Sequence, residues 1–217
     1  SAKISGAAVD YSPWCANAGC TEFLPGAVTI APVTPVVCGN TPTTTIDVNI
    51  SGIPASIVAQ GYQLTLHFDP AKTMIANAAD IVQGGFLPVG TGFQVLTIDN
   101  VTGTVEIASA IMGPATNDSA KPLVKITLTH KGVAGNIDLL LSDVLLSDAD
   151  GFPIPTEVST TPVVLTLQPA VLNISKDPDV GYCTLAEAVA GAAGGDNLQL
   201  MAHIISNVTI TVDLIYP

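Results

Sequence analysis

The sequence predicts an all-β protein, an antiparallel β-sandwich with one short helix near the C-terminus. Three observations carry that prediction. Apolar and polar residues alternate in six separate runs, turn-forming residues lie between those runs, and a helix-capping signature appears late in the chain.

Taken in chain order, the first legible strand is Thr45-Ile46-Asp47-Val48-Asn49-Ile50, where Ile46, Val48 and Ile50 share one face. Ser51-Gly52-Ile53-Pro54 then turns the chain. Leu64, Leu66 and Phe68 form the next apolar face, with Gln63, Thr65 and His67 opposite, and Asp69-Pro70 closes it. Gly84-Gly85 and Asn100-Val101-Thr102-Gly103 are further turns, after which Val105 and Ile107 alternate with Thr104 and Glu106. Beyond Asp118-Ser119, Val124, Ile126 and Leu128 alternate with Lys125, Thr127 and Thr129. Lys131-Gly132 leads into Ile137, Leu139 and Leu141; Asp148-Ala149-Asp150-Gly151 turns again, and Val163, Leu165 and Leu167 complete the series. A strand with one apolar face must bury it against another element, so this many short strands predict two sheets packed face to face.

Composition narrows the functional classes. Only 11% of the 217 residues are charged while 48% are hydrophobic, against about 25% charged in an average protein, which excludes a disordered chain. The longest apolar stretch, Phe23 to Cys38, is interrupted by Pro25, Pro32 and Pro35 and predicts no membrane span. Six lysines and no arginine stand against 18 acidic residues, a net charge of −12. Nucleic acid needs a cationic surface and is excluded as a partner. A chain rich in Thr, Val, Ala, Gly and Pro, with four cysteines and no C-x-x-C pair, fits an extracellular or cell-surface location. No leader peptide is visible, and Ser1 can follow a cleaved one.

Texture divides the chain into three segments. Residues 1–40 form a Cys-containing, Pro-rich extended lead-in, residues 41–168 the sandwich, and residues 169–217 a helix plus strands. The lead-in tract from Leu24 to Val37 is apolar and held extended by its prolines. It has two readings: an edge strand of its own sandwich, or a strand donated to a neighbouring copy. In the last segment Thr184-Leu185-Ala186-Glu187 is a capping box, Leu185, Ala188, Val189 and Ala192 lie on one stripe, and Gly194-Gly195 ends the helix. Strands follow at Leu198–Met201 and at Val208, Ile210, Val212 and Leu214.

The runs Ile46-Asp47-Val48-Asn49-Ile50-Ser51-Gly52-Ile53-Pro54 and Gly61-Tyr62-Gln63-Leu64-Thr65-Leu66-His67-Phe68-Asp69-Pro70-Ala71-Lys72 resemble the opening of a cohesin domain. The family has a strand ending in an aromatic-Asp-Pro-x-Lys turn at that place. Leu141-Ser142-Asp143 with Asp148-Ala149-Asp150-Gly151-Phe152-Pro153-Ile154 is similar to the family's late segment. The resemblance covers about 41–168. It implies a jelly-roll sandwich of the kind shared with carbohydrate-binding modules, and a calcium-loaded dockerin bound on one sheet face. The positions at which type I members carry a polar Asn and Asp hold Gly61 and Gln63 here. The segment from Tyr182 to Ile210 resembles the capping start of a right-handed parallel β-helix, one coil of which cannot bury its own face.

Candidate chemistry is sparse. His67, His130 and His203 lie on different strand-like segments without metal-ligand spacing, and Glu22, Glu106, Glu157 and Glu187 are scattered, so the chain reads as non-catalytic and without a cofactor. Asp143, Asp148 and Asp150 bracket a loop ending in Gly151 and are candidate calcium ligands; a solvated acidic turn is the plainer reading, because the distal Glu of an EF-hand is absent. Four cysteines allow three pairings. Cys15 with Cys20 leaves Cys38 to Cys183, while the alternative joins Cys15 or Cys20 to Cys183. Asn49, Asn100, Asn117, Asn173 and Asn207 begin N-x-S/T sequons, which a Thr-rich chain also makes freely. Two functions remain. The main reading is a structural assembly unit of a cell-surface or filamentous structure, engaging other copies through its terminal strands. The alternative is a binding module for a dockerin-type partner or a glycan; the single Trp and four Tyr weigh against the glycan.

Overall fold

Alternation along the chain becomes strands because each strand turns successive side chains to opposite faces. The computed structural model describes residues 25–201, apart from 32, 39–41, 55–56, 89–91 and 114–115. In order come β1 (Gly26–Ile30), β2 (Val36–Val37), β3 (Thr43–Ser51), β4 (Gly61–His67), β5 (Thr73–Met74), β6 (Ile81–Gln83), β7 (Gly92–Asp99) and β8 (Thr104–Ile111). They are followed by β9 (Val124–His130), β10 (Gly135–Ser147), β11 (Pro153–Ile154), β12 (Thr156–Val158), β13 (Val163–Gln168), β14 (Val171–Asn173) and β15 (Val180–Tyr182). The helix α1 (Leu185–Gly191) and β16 (Leu198–Leu200) complete the order.

Two sheets form the sandwich. The first runs β12-β1-β3-β9-β5, with β6 also paired to β9; the second runs β2-β13-β10-β4-β8-β7, with β11 paired to β10. Register brings the apolar faces into line. Ile46 lies opposite Ile126 in the first sheet, and Leu64 opposite Ile107 in the second. Ile46, Leu64, Leu66, Ile107, Ile126, Leu128, Ile137 and Leu139 are all fully buried between the sheets. Each such side chain contributes roughly 2–3 kcal/mol by leaving water.

The lead-in is part of this sandwich. β1 pairs antiparallel with β3 and parallel with β12, and β2 pairs parallel with β13. Val28 and Ile30 are buried in the common core. Within the tract, β1 fills an inner position of the first sheet with a strand on either side, and β2 forms an edge of the second, so both of its strands pair within their own sandwich. No helix among the described residues is long and apolar enough to cross a membrane.

The Phe68-Asp69-Pro70 turn is locked from two sides. The Asp69 carboxylate accepts from the Ala71 amide at 2.9 Å and pairs with Lys72 Nζ at 2.7 Å, and Lys72 also donates to the Asn136 carbonyl at 2.8 Å. These partners, Lys72 foremost, hold the Asp69 carboxyl below the usual carboxylate range. On the other side Gly103 has φ +74°, and a Cβ there would run into the Phe68 carbonyl and the Pro70 ring. Gly103→Ala is expected to cost about 2 kcal/mol or more, since both the left-handed backbone and the close approach penalise a side chain. Chemical denaturation measures it, and a variant within experimental error of the parent would contradict this packing.

After β13 the chain builds a small satellite sheet. β14 is flanked by β15 and β16, both antiparallel. Thr184 and Glu187 cap α1 reciprocally: the Glu187 amide donates to Thr184 Oγ1, and the Thr184 amide donates to the Glu187 carboxylate. Ala188 is buried against Ala170, Val171 and the sandwich residue Val37, whereas Val189 is exposed. A disulfide joins Cys38, just after β2, to Cys183, just before α1. In this sheet β15 and β16 each pair antiparallel with β14. The expected strand at Val208–Leu214 lies outside the described residues.

The turn feeding β16 depends on one carboxylate. Asp196 Oδ2 accepts from Asn173 Nδ2 at 2.8 Å, from the Ala193 amide at 2.9 Å, and from Lys176 Nζ at 3.0 Å. These partners, Asn173 first, lower its pKa to about 2. The folded pKa lies below the unfolded value near 4, so the stabilisation is present above about pH 4 and is lost as pH falls through about 2. Asp196→Asn is expected to flatten the loss of stability between pH 4 and pH 2. Unchanged acid titration of the variant would contradict this.

Candidate interaction face

The outer face of the four strands β10, β4, β8 and β7 carries exposed apolar side chains on a floor of small residues. Register places Leu145, Gln63, Ala108 and Val95 in one row across it, and Ser147, Gly61 and Ala110 in the next. Leu145 is 48% exposed and Val95 56% exposed, with only small side chains and Gln63 between them. A shallow depression of about 190 Å³ opens there, bordered by Gln63, Ala108, Ala110, Leu145 and Ser147. Glu106, Asp138 and Asp143 are exposed carboxylates on the same strands, which contain no lysine. Lys72, near the start of β10, is held by Asp69 and the Asn136 carbonyl.

A β-bulge shapes this face. Ser142 pairs with Thr65 and Leu145 with Gln63, so three steps along β10 match two along β4. Asp143 takes up the extra residue with φ 52°, in the left-handed region that Asp tolerates better than most side chains. Strict alternation from Leu139 and Leu141 would send Asp143 and Leu145 inward. The bulge instead turns Val144 and Leu146 to the core and leaves Asp143 and Leu145 outside. The one sequence signal for it is an Asp standing where alternation demands an apolar residue.

The bulge also makes a polar chain that the sequence does not announce. Ser142 Oγ donates to Asp143 Oδ2 at 2.8 Å, and His67 Nε2 lies 2.8 Å from the same Oγ. With the serine proton directed at the carboxylate, the oxygen is left to accept from His67. A nucleophilic serine needs the reverse, a histidine that takes its proton and a third group orienting the histidine. On this open sheet face the trio ties Ser142 to both neighbours.

The other sequence-singled residues fall as follows. Asp148 Oδ1 accepts from the amides of Asp150 and Phe152, which ties its carboxylate into the turn, and Asp143 lies on the bulge with its own serine partner. Among the described residues no three His, Cys, Asp or Glu side chains gather as a metal site. Three of the sequon asparagines are structural. Asn100 accepts from the Ile75 amide and donates to the Ile75 carbonyl, both at 2.9 Å. Asn117 grips Ala59 in the same two-handed way at 2.7 and 2.8 Å. Asn173 is fully buried, accepting from the Ser175 amide and donating to Asp196. Asn49 lies half-buried on the outer side of β3. Cys15, Cys20, Asn207 and His203 lie outside the described residues.

The opposite outer face, on the first sheet, is mostly polar, with Val82 of β6 exposed beside Lys125. Thr45 and Thr127 share a hydrogen bond of 2.9 Å, and Asp47 pairs with Lys125 at 3.5 Å.

No family model matches the chain, and no curated protein matches it. Solved structures do. A cohesin in a type I cohesin–dockerin complex from Clostridium thermocellum is 8% identical, with a TM-score of 0.54 over 66% of this chain and 99% of that one. The cohesin module of a family 33 glycoside hydrolase from Clostridium perfringens is 19% identical, with a TM-score of 0.52 over 66% and 96%. A non-cellulosomal cohesin from the archaeon Archaeoglobus fulgidus is 10% identical, with a TM-score of 0.50 over 66% and 91%. At these identities the likeness is one of fold: about two thirds of the chain is a cohesin-like β-sandwich.

Proposed function

We propose that this cohesin-like sandwich is a non-catalytic, extracellular protein-binding module, and that it engages a dockerin-type partner with the outer face of β10, β4, β8 and β7. The observation that carries the reading is the face itself. A nearly flat floor of small residues lies between exposed Leu145 and Val95, where a partner's side chains can pack closely and shed water. The cohesin from Clostridium thermocellum, which shares this fold, is in complex with a dockerin. A glycan is the weaker occupant, since no aromatic ring is exposed among the described side chains of these strands. Residues 26–168 act as the binding unit in this reading, with 169–201 as a covalently tied appendix.

Capture from the extracellular fraction of the source tests it, with immobilised protein in calcium and in chelator. A protein partner retained in calcium and released by chelator is the expected result. Capture indifferent to chelator would contradict the dockerin assignment.

A second reading, a structural assembly unit, is favoured by one feature. Leu200 and Met201 are 59% and 51% exposed at the edge of the satellite sheet, where β16 has no second neighbour among the described strands. An apolar edge of this kind can pair with another copy. Size-exclusion chromatography distinguishes the two: concentration-dependent polymers favour assembly, and a monomer favours the binding module.

A further inference from the structure

We propose that Asn49 is the N-glycan acceptor of this sandwich and that Asn100, Asn117 and Asn173 are not, although all four begin sequons. The inference rests on the extracellular reading above, which exposes the chain to the transferase.

The four sites share a motif and differ in what their carboxamides do. N-glycosylation needs the carboxamide nitrogen free to be substituted. Its Nδ2 attacks the anomeric carbon of a lipid-linked oligosaccharide; the C–N bond forms as the C–O bond to the lipid phosphate breaks. The phosphate leaves with the electron pair, and Nδ2 gives up one proton. At Asn100 and Asn117 that nitrogen already donates to the backbone carbonyl of a distant loop residue, while the side-chain oxygen accepts from the same residue's amide. A sugar on Nδ2 would wedge between chain segments that these bonds hold together. Asn173 has no exposed surface at all, and its nitrogen donates to Asp196.

Asn49 meets the opposite description. Its side chain points outward from β3, makes no hydrogen bond to any described residue, and is followed by Ser51, which is exposed as the sequon hydroxyl must be. Around it the first sheet presents threonines and the Asp47–Lys125 pair, with Val82 the one large exposed apolar side chain among the described residues of its strands, a mostly hydrophilic surface over which a sugar can lie. The apolar outer face belongs to the other sheet, so a glycan at Asn49 shields one side of the sandwich and leaves the other open.

Glycopeptide mapping of the protein from its native source, combined with cell fractionation, tests this. The expected result is a chain outside the cell whose Asn49 peptide carries a sugar mass, lost in Asn49→Gln, with the Asn100, Asn117 and Asn173 peptides unmodified. An external chain with bare Asn49, or with sugar on any of the other three, overturns the inference alone. A chain retained inside the cell overturns the location reading and this inference with it.

Discussion

Replacing Cys38 and Cys183 together by alanine is expected to lower the melting temperature by roughly 10–20 °C. The bond links residues 145 apart in sequence, and so closes a loop spanning nearly the whole sandwich. In the chain-entropy account a loop of that length restricts the unfolded ensemble by about 5 kcal/mol. That is a large share of the 5–15 kcal/mol over which folded domains normally exceed their unfolded states. Both cysteines are buried in the core, so the small cavities left by alanine act in the same direction. The double variant separates this bond from any made by Cys15 and Cys20. Calorimetry reads the effect, and a loss of only a degree or two would show that the satellite sheet is held to the sandwich by other means.

Asn117→Ala is expected to cost about 2–5 kcal/mol, and Asn100→Ala a similar amount. Ala59 and Ile75, the residues these asparagines grip, are 0% and 1% exposed. Neither loses its backbone partners to water when the carboxamide is removed; each keeps a buried donor and acceptor with nothing to bind. Leaving each such group unpaired costs about 1–3 kcal/mol. Aspartate in place of Asn117 is expected to be at least as damaging, because its carboxylate turns an acceptor toward the Ala59 carbonyl. Urea denaturation at neutral pH measures both variants. A loss below about 0.5 kcal/mol, within the spread of ordinary surface substitutions, would contradict the clip assignment.

These two predictions mark the limits of reading the chain by pattern. Alternation located β3, β4, β8, β9, β10 and β13, because one apolar face per strand is written directly into residue order, as Ile46-Asp47-Val48-Asn49-Ile50 shows. The capping box at Thr184 and Glu187 was equally legible, since both partners lie within one turn. The lead-in reads as apolar and extended, an edge strand of its own sandwich or a donated one, but the inner place of β1 is not legible: its parallel pairing with β12 joins Gly26 to Thr156, and nothing local records a partner that far away. The candidate face was least legible. A single extra residue at Asp143 reverses which of Leu145 and Leu146 meets solvent; His67 and Ser142 meet in the regular register before it, and Asp143 joins them because the bulge keeps it outside. The sequons were visible as motifs, whereas the carboxamide bonds that separate Asn49 from Asn100, Asn117 and Asn173 are properties of the fold.

The central claim is that partner binding belongs to the outer face of β10, β4, β8 and β7. Ala108 stands in the middle of that face, and Thr29 is exposed on the outer face of the first sheet. Comparing the affinity of the captured partner for Ala108→Arg and for Thr29→Arg is the most direct test. An arginine forced into a close-packed interface centre removes 2 kcal/mol or more, about thirtyfold in affinity, whereas one outside it changes little. The account predicts that loss for Ala108→Arg and near-parental binding for Thr29→Arg; full binding by Ala108→Arg, or loss confined to Thr29→Arg, would contradict it.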